Sequence, residues 1–242
     1  MKPRTFLLLV LPVLLAACSQ QTQPPSGSGS TMSGSGGLSS SASSVVTMTQ
    51  LEAAAAKGDS DAEFSLGIIY LQGNGIQKDV SKGMDYLTKS AEAGNAKAQF
   101  DLATEYYQGT DVPKNVDSAV AWFKKASAAG NERAQYNLGV LYYSGDGVKQ
   151  DYAQALTLFK QSAEQGFSEA AFNLGVMYAK AQGTALNNLD AYAWFSIAAQ
   201  EGDTQAPTVL AQVQSKLSAD EKTAADARTK QLLATIKPAK DQ

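Results

Sequence analysis

Four small residues, Gly67, Ala103, Gly139 and Gly175, stand 36 residues apart, and most of the chain around them keeps the same step. An aromatic residue lies three before each: Phe64, Phe100, Tyr136 and Phe172. A leucine lies one before each (Leu66, Leu102, Leu138, Leu174), and a tyrosine three after (Tyr70, Tyr106, Tyr142, Tyr178). Self-similarity at such a period means stacked supersecondary units, each of which buries its apolar face only against its neighbours. Packing consumes the repeated positions. What the chain binds must therefore be read from positions that do not repeat.

One period shows what the unit is. Asn131 is a helix N-cap type, able to accept from a free backbone N–H at the start of a helix. Ala134, Leu138, Gly139 and Tyr142 then fall on one face at helical spacing. Gly145-Asp146-Gly147 supplies residues that tolerate positive φ and stops that helix. Asp151 caps a second helix whose apolar stripe is Ala155, Leu158, Phe159, Ser162 and Ala163, and Gly166 ends it. The caps recur: second helices start after Asp79, Asn115, Asp151 and Asn187 and end at Gly94, Gly130, Gly166 and Gly202. Short glycine-terminated turns favour antiparallel neighbours. The expected fold is all-α, an α-solenoid of antiparallel helix pairs.

The pattern resembles the Sel-1-like repeat, a 36-residue relative of the tetratricopeptide repeat. The clearest copy carries it on Ala134, Leu138, Gly139, Tyr142, Gly145, Gly147, Asp151, Ala155, Phe159, Ala163 and Gly166. Four copies cover 59–202, after an N-terminal capping helix in 45–58. A partial repeat with Ala206, Leu210 and Ala211 in phase follows in 203–242, closed by a C-terminal capping helix that opens on the capping box Ser218-Ala219-Asp220-Glu221. Departures from the pattern are Ala103 at a glycine position, Gly109-Thr110-Asp111 in the second loop and Ala181-Gln182-Gly183 in the fourth. They alter loop shape and leave the helical framework in place.

Ahead of the repeats the composition changes twice. Residues 1–17 read as a signal peptide: Lys2 and Arg4, then an apolar stretch from Phe6 to Leu15 that is too short for a membrane-spanning helix. Leu15-Ala16-Ala17-Cys18 resembles the end of a bacterial lipoprotein signal, with small residues before the only cysteine of the chain. That resemblance implies acylation of Cys18. Ser19 after it implies the outer membrane, with the periplasmic face expected. Residues 18–44 are Ser, Gly, Gln, Thr and Pro with few apolar side chains, a composition that cannot offset chain entropy and reads as a disordered tether. A tether of about 30 residues spans roughly 30 Å.

Composition excludes several function classes. The chain has no histidine, which removes His-based triads, His–metal sites and the commonest general base. Loss of Lys2 and Arg4 with the signal leaves 18 basic residues against 23 acidic ones, a poor balance for a nucleic-acid partner. Gly73-Asn74-Gly75 and Gly145-Asp146-Gly147 follow helices and lack the rest of a nucleotide fingerprint, so they read as turns. Asp101 and Glu105, one turn apart, read as a solvated helix face. No catalytic residue, cofactor or metal site is expected.

What remains is the side of each first helix that the consensus leaves open. At about 100° per residue it collects 61, 65, 68 and 72 and their equivalents. The candidate partner-binding residues are Asp61, Lys97, Asp101, Thr104, Gln108, Arg133, Asn137, Val140, Glu169 and Asn173. In the tetratricopeptide relatives, first helices line a groove that binds partner peptides. The resemblance thus implies a lipid-anchored, non-catalytic scaffold that recruits a protein or peptide at the bacterial envelope. Two alternatives stand beside it. One is a cell-wall enzyme or penicillin-binding, β-lactamase-like protein, as in a cysteine-rich branch of the family, although its paired cysteines have no counterpart here. The other is a peptidoglycan or glycan binder in which exposed Tyr107 and Tyr143 stack on sugars.

Overall fold

The computed structural model describes residues 47–236; the expected signal segment, Cys18, the tether and the last six residues lie outside the described residues. Among the described residues there are eleven helices and no strand. Helix α1 spans Met48–Ala55. Four pairs follow: α2 (Ser60–Gln72) with α3 (Val80–Glu92), α4 (Ala96–Gln108) with α5 (Val116–Ala128), α6 (Glu132–Ser144) with α7 (Tyr152–Ala163), and α8 (Ser168–Lys180) with α9 (Asn188–Gln200). Helices α10 (Ala206–Gln214) and α11 (Ala219–Leu233) end the array. Packing is most extensive within each pair, and each second helix then packs on the next first helix. Among the described residues no helix is long and apolar enough to cross a membrane.

The expected caps form. Oδ1 of Asp59 and of Asn95 each accepts two backbone N–H groups at the start of a first helix, and Asn131 accepts from Ala134 N. Second helices are capped by Asp79, Asn115, Asp151 and Asn187. Each of these four also donates its own N–H to the carbonyl of the tyrosine that recurs in the first helix: Tyr70, Tyr106, Tyr142 and Tyr178, at 2.7–3.2 Å. The loop is thereby closed by a single repeated backbone bond. One cap departs from the pattern. Phe167 occupies the N-cap of α8 with no side-chain bond, and its ring packs on Tyr136 at 5.0 Å instead.

The small residues of the 36-residue step mark where the paired helices come closest. A Cβ on Gly175 would lie 2.7 Å from the ring of Phe195, which is fully buried. The fourth loop, which lacks the first glycine, keeps the same backbone: Ala181 takes φ 55 where Gly73, Gly109 and Gly145 take φ 71, 71 and 80.

Side chains also tie helices together, both within a repeat and between successive ones. Ser90 Oγ donates to Ser60 O at 2.6 Å, and Ser162 Oγ to Glu132 O at 2.8 Å, so a second helix is tied to the start of its own first helix. Buried Gln99 donates to Ala91 O at 3.0 Å, tying α4 to the end of α3.

The C-terminus departs from the repeat. Helices α10 and α11 both pack on α9, and neither takes the other as its main partner. Thr208 and Gln214 stand where earlier copies have the aromatic residue and the tyrosine, so α10 lacks the knobs that hold a second helix. Ser218 caps α11 five residues before the phase of Asn187 would place it. The shortened connection lets α11 fold back onto α9. There Arg228 Nε bonds Asp190 at 2.6 Å and Tyr192 donates to Asp226 at 2.9 Å.

Candidate functional site

The first helices α2, α4, α6 and α8 carry the candidate face. Asp61, Lys97 and Gln108 are exposed; Asp101, Arg133, Asn137, Val140, Glu169 and Asn173 are half-buried. Thr104 departs from the expectation. It is 6% exposed and donates its hydroxyl to Phe100 O at 3.0 Å, so it is a packing residue unavailable to a partner. The equivalent Val140 leans on the apolar cluster around Phe159 and Leu174. The reason is common to both: the neighbouring repeat covers a wider arc of the helix than the consensus residues alone occupy.

Asp61 and Asp101 are likewise more engaged than a solvated helix face implies. Asp61 Oδ1 accepts from Asn95 Nδ2 at 2.7 Å, linking first helices of adjacent repeats through a cap. Burial pushes the Asp101 carboxyl up to about 6, against the pull of Arg133; nearby Glu105 raises it further and Lys97 lowers it. A carboxylate short of water is stabilised chiefly by nearby cationic groups. Asp101 of the second repeat and Arg133 of the third thus form an electrostatic contact across a repeat boundary. Glu105 is itself raised by burial and is held by the Asp111 N–H; Asp111 in turn pairs with Lys78 at 2.7 Å. Glu105 Oε2 is buried without a hydrogen-bond partner.

A second group spans repeats three and four. Burial pushes the Tyr136 phenol up to about 12, Glu169 adds to the rise, and a hydrogen bond from Asn173 opposes it. Tyr136 rests on Phe159 and Phe167. Its phase in the repeat marks it only as a packing aromatic. Its hydroxyl sits among the candidate residues because the aromatic at this position carries an oxygen in this copy alone.

The two aromatics expected to stack on sugars behave differently. Tyr107 is 7% exposed, and its hydroxyl donates to Asp146 at 2.7 Å, so it is not an exposed stacking surface. Tyr143 is half-buried, donates to Gln182 at 2.8 Å and lies edge-on to Tyr152. Both tyrosines bond the loop of the following repeat.

Among the described residues no group of His, Cys, Asp and Glu is placed to hold a metal ion. The face offers opposed charges, amides and partly buried apolar side chains across four repeats. Chemically, such a surface can offer hydrogen bonds and charge pairing. The fold defines a helical-repeat protein built of stacked antiparallel helix pairs.

The profile described as "Sel1 repeat" matches residues 60–95, 96–131, 132–167 and 168–203, well over half of the chain, and the chain belongs to the Sel1 repeat family. Among solved structures, a Sel1 repeat protein from Oxalobacter formigenes is 32% identical with a TM-score of 0.66, over 68% of this chain and 68% of that one. The protective antigen c5321 of uropathogenic Escherichia coli strains, described as displaying an SLR fold, is 30% identical with a TM-score of 0.53. That match covers 78% of this chain and 48% of the antigen, so the chain spans about half the antigen's length. No curated protein matches the chain. Sel1 repeats generally act as protein-binding scaffolds without catalytic activity.

Proposed function

We propose that this chain is a lipid-anchored, non-catalytic adaptor of the bacterial cell envelope. Cys18 is the acylated residue, the outer membrane is its address, and the periplasmic face its side. The repeat domain recruits a protein or peptide on the faces of α2, α4, α6 and α8. The observation that supports this reading most directly is the row of Asp61, Lys97, Arg133 and Glu169. These four share one phase of the repeat yet differ in charge, acidic in the two outer copies and basic in the two central ones, whereas packing would hold a repeated position constant. Asn137 and Asn173, one period apart and half-buried, add amides able to donate and accept toward a bound main chain.

The test has two arms. A photo-crosslinking side chain is placed in living cells at Lys97 and at Asn137, with the exposed second-helix residue Thr157 as control. One shared adduct from the two first-helix sites and none from Thr157 is expected. Equal adducts from all three sites would move the contact off this face. Separately, Cys18→Ser should abolish palmitate labelling; label that persists would remove the anchor assignment.

A further inference from the structure

A pocket of about 690 Å³ lies where the second helix of repeat two meets the loop of repeat three. Lys124, Tyr142, Val148, Lys149, Gln150, Tyr152 and the cap residue Asp151 line it. It shares no residue with the candidate first-helix face. Its volume falls within the range of small-ligand sites, about 300–1,000 Å³.

The repeat itself supplies the control for what packing requires. At the junction of repeats one and two the equivalents of Lys124, Lys149 and Tyr152 are Thr88, Pro113 and Val116. At the junction of repeats three and four they are Lys160, Ala185 and Asn188. The loop at each junction is closed by the same backbone bond, from Asn115, Asp151 and Asn187 N–H to Tyr106, Tyr142 and Tyr178 O, so that closure asks for neither the second lysine nor the tyrosine. Only the central junction joins two ammonium groups to an extra aromatic ring.

The polar groups around the pocket are in part already committed. Asp151 Oδ1 accepts the N–H groups of Ala153 and Gln154, and Gln150 Nε2 donates to Tyr143 O at 2.9 Å. Among the described residues neither Lys124 nor Lys149 has an ion-pair partner. Tyr152 is held edge-on against Tyr143, with ring centroids 5.2 Å apart, so its ring is a fixed wall. Two cations and two half-buried phenol rings match an anion carried on a ring-sized body. The Gln150 carbonyl and the two phenol oxygens favour a ring rich in hydroxyls over a purely aromatic acid, which would leave them unmatched. We propose that this pocket binds a carboxylated sugar ring, its carboxylate between Lys124 and Lys149 and its face against Tyr152.

Glucuronate is the probe, with glucose as the same ring lacking the carboxylate, acetate as the bare anion and benzoate as the aromatic acid. Binding is followed by amide NMR shifts of the isotope-labelled full chain. Glucuronate is expected to move residues 148–152 and to bind at least about fivefold more tightly than glucose or acetate. Tyr152→Val, which restores the residue used at Val80 and Val116, should weaken glucuronate by about fivefold while the spectrum stays that of the folded chain. Lys149→Gln, the residue at Gln77, should remove most of the preference for the carboxylate. Glucuronate and acetate binding equally, benzoate binding most tightly, an undiminished Tyr152→Val, or shifts centred elsewhere each overturn the proposal.

Discussion

The Tyr107 hydroxyl donates to Asp146 Oδ2 at 2.7 Å, joining the first helix of the second repeat to the loop of the third. One period on, Tyr143 makes the same connection to Gln182 in the loop of the fourth. A repeat array is stabilised by such nearest-neighbour links, because each unit leaves an uncovered face for the next. These bonds join apolar packing in setting how one repeat sits on another.

The Tyr107 contact gives an alkaline signature. Burial and the bonded Asp146 carboxylate push its phenol up to about 12, and burial does the same for Tyr136. Above an ordinary tyrosine pKa of about 10 the unfolded chain loses its proton first. The native state then holds more protons, so stability falls as pH rises from about 10 toward about 12. Thermal melts across that interval should show the decline, and Tyr136→Phe should flatten it. Tyr107→Phe should do the same and cost about 0.5–1.5 kcal/mol at neutral pH. Equal slopes for parent and both variants would mean the phenols are not buried as described.

Asp101 gives an acid signature of its own. Its folded carboxyl titrates at about 6, above the ordinary 3.8. Between those values the native state holds the extra proton, so this group's contribution falls as pH rises through the interval. Asp101→Asn should therefore raise stability at neutral pH. The gain is put at about 1 kcal/mol, because the side chain keeps partial solvent contact and loses its attraction to Arg133. Urea melts at pH 4 and pH 7 measure it. A variant less stable than the parent at pH 7 would show that the Arg133 contact outweighs the burial.

The packing phase can be tested from both directions. Leu138 is buried, and Leu138→Ala should cost about 2–5 kcal/mol. Gly175→Ala adds one methyl against the Phe195 ring and should cost about 1–3 kcal/mol. Chemical denaturation followed by helical circular dichroism reads both. Losses under about 0.5 kcal/mol, the range of surface changes, would place these residues outside the helix-pair interface.

Ala181 carries the opposite expectation. It is exposed and takes a left-handed backbone that costs an L-residue about 1 kcal/mol. Ala181→Gly should stabilise the chain by about 0.5 kcal/mol once the added freedom of the unfolded state is counted. A lower melting temperature for the variant is the contrary outcome.

The helix pairs were legible because their determinants are local. A capping Asp or Asn acts on N–H groups two or three residues away, and a glycine at a helix end acts on its own φ. The 36-residue step of Leu138 and its equivalents then repeats the same local instruction four times. Even Ala181 follows, since the loop around it is closed by the Asn187 N–H bonding Tyr178 O, as in the other repeats. The candidate face was legible only in outline. Periodicity gives the direction of a side chain about its own helix axis, and Asp61 and Lys97 are exposed accordingly.

How much of that direction a neighbouring repeat covers is not a local quantity. It follows from the angle and distance at which whole repeats pack, and those depend on side chains far apart in sequence. For that reason only the tertiary structure placed Thr104 in the core, turned Tyr107 toward Asp146 and set Asp101 beside Arg133. The docking of both α10 and α11 on α9 was decided in the same way. Ala206 and Leu210 keep the repeat's phase, but a phase specifies a helix face, and which neighbour meets that face is settled by the apolar surface and chain length left to reach it.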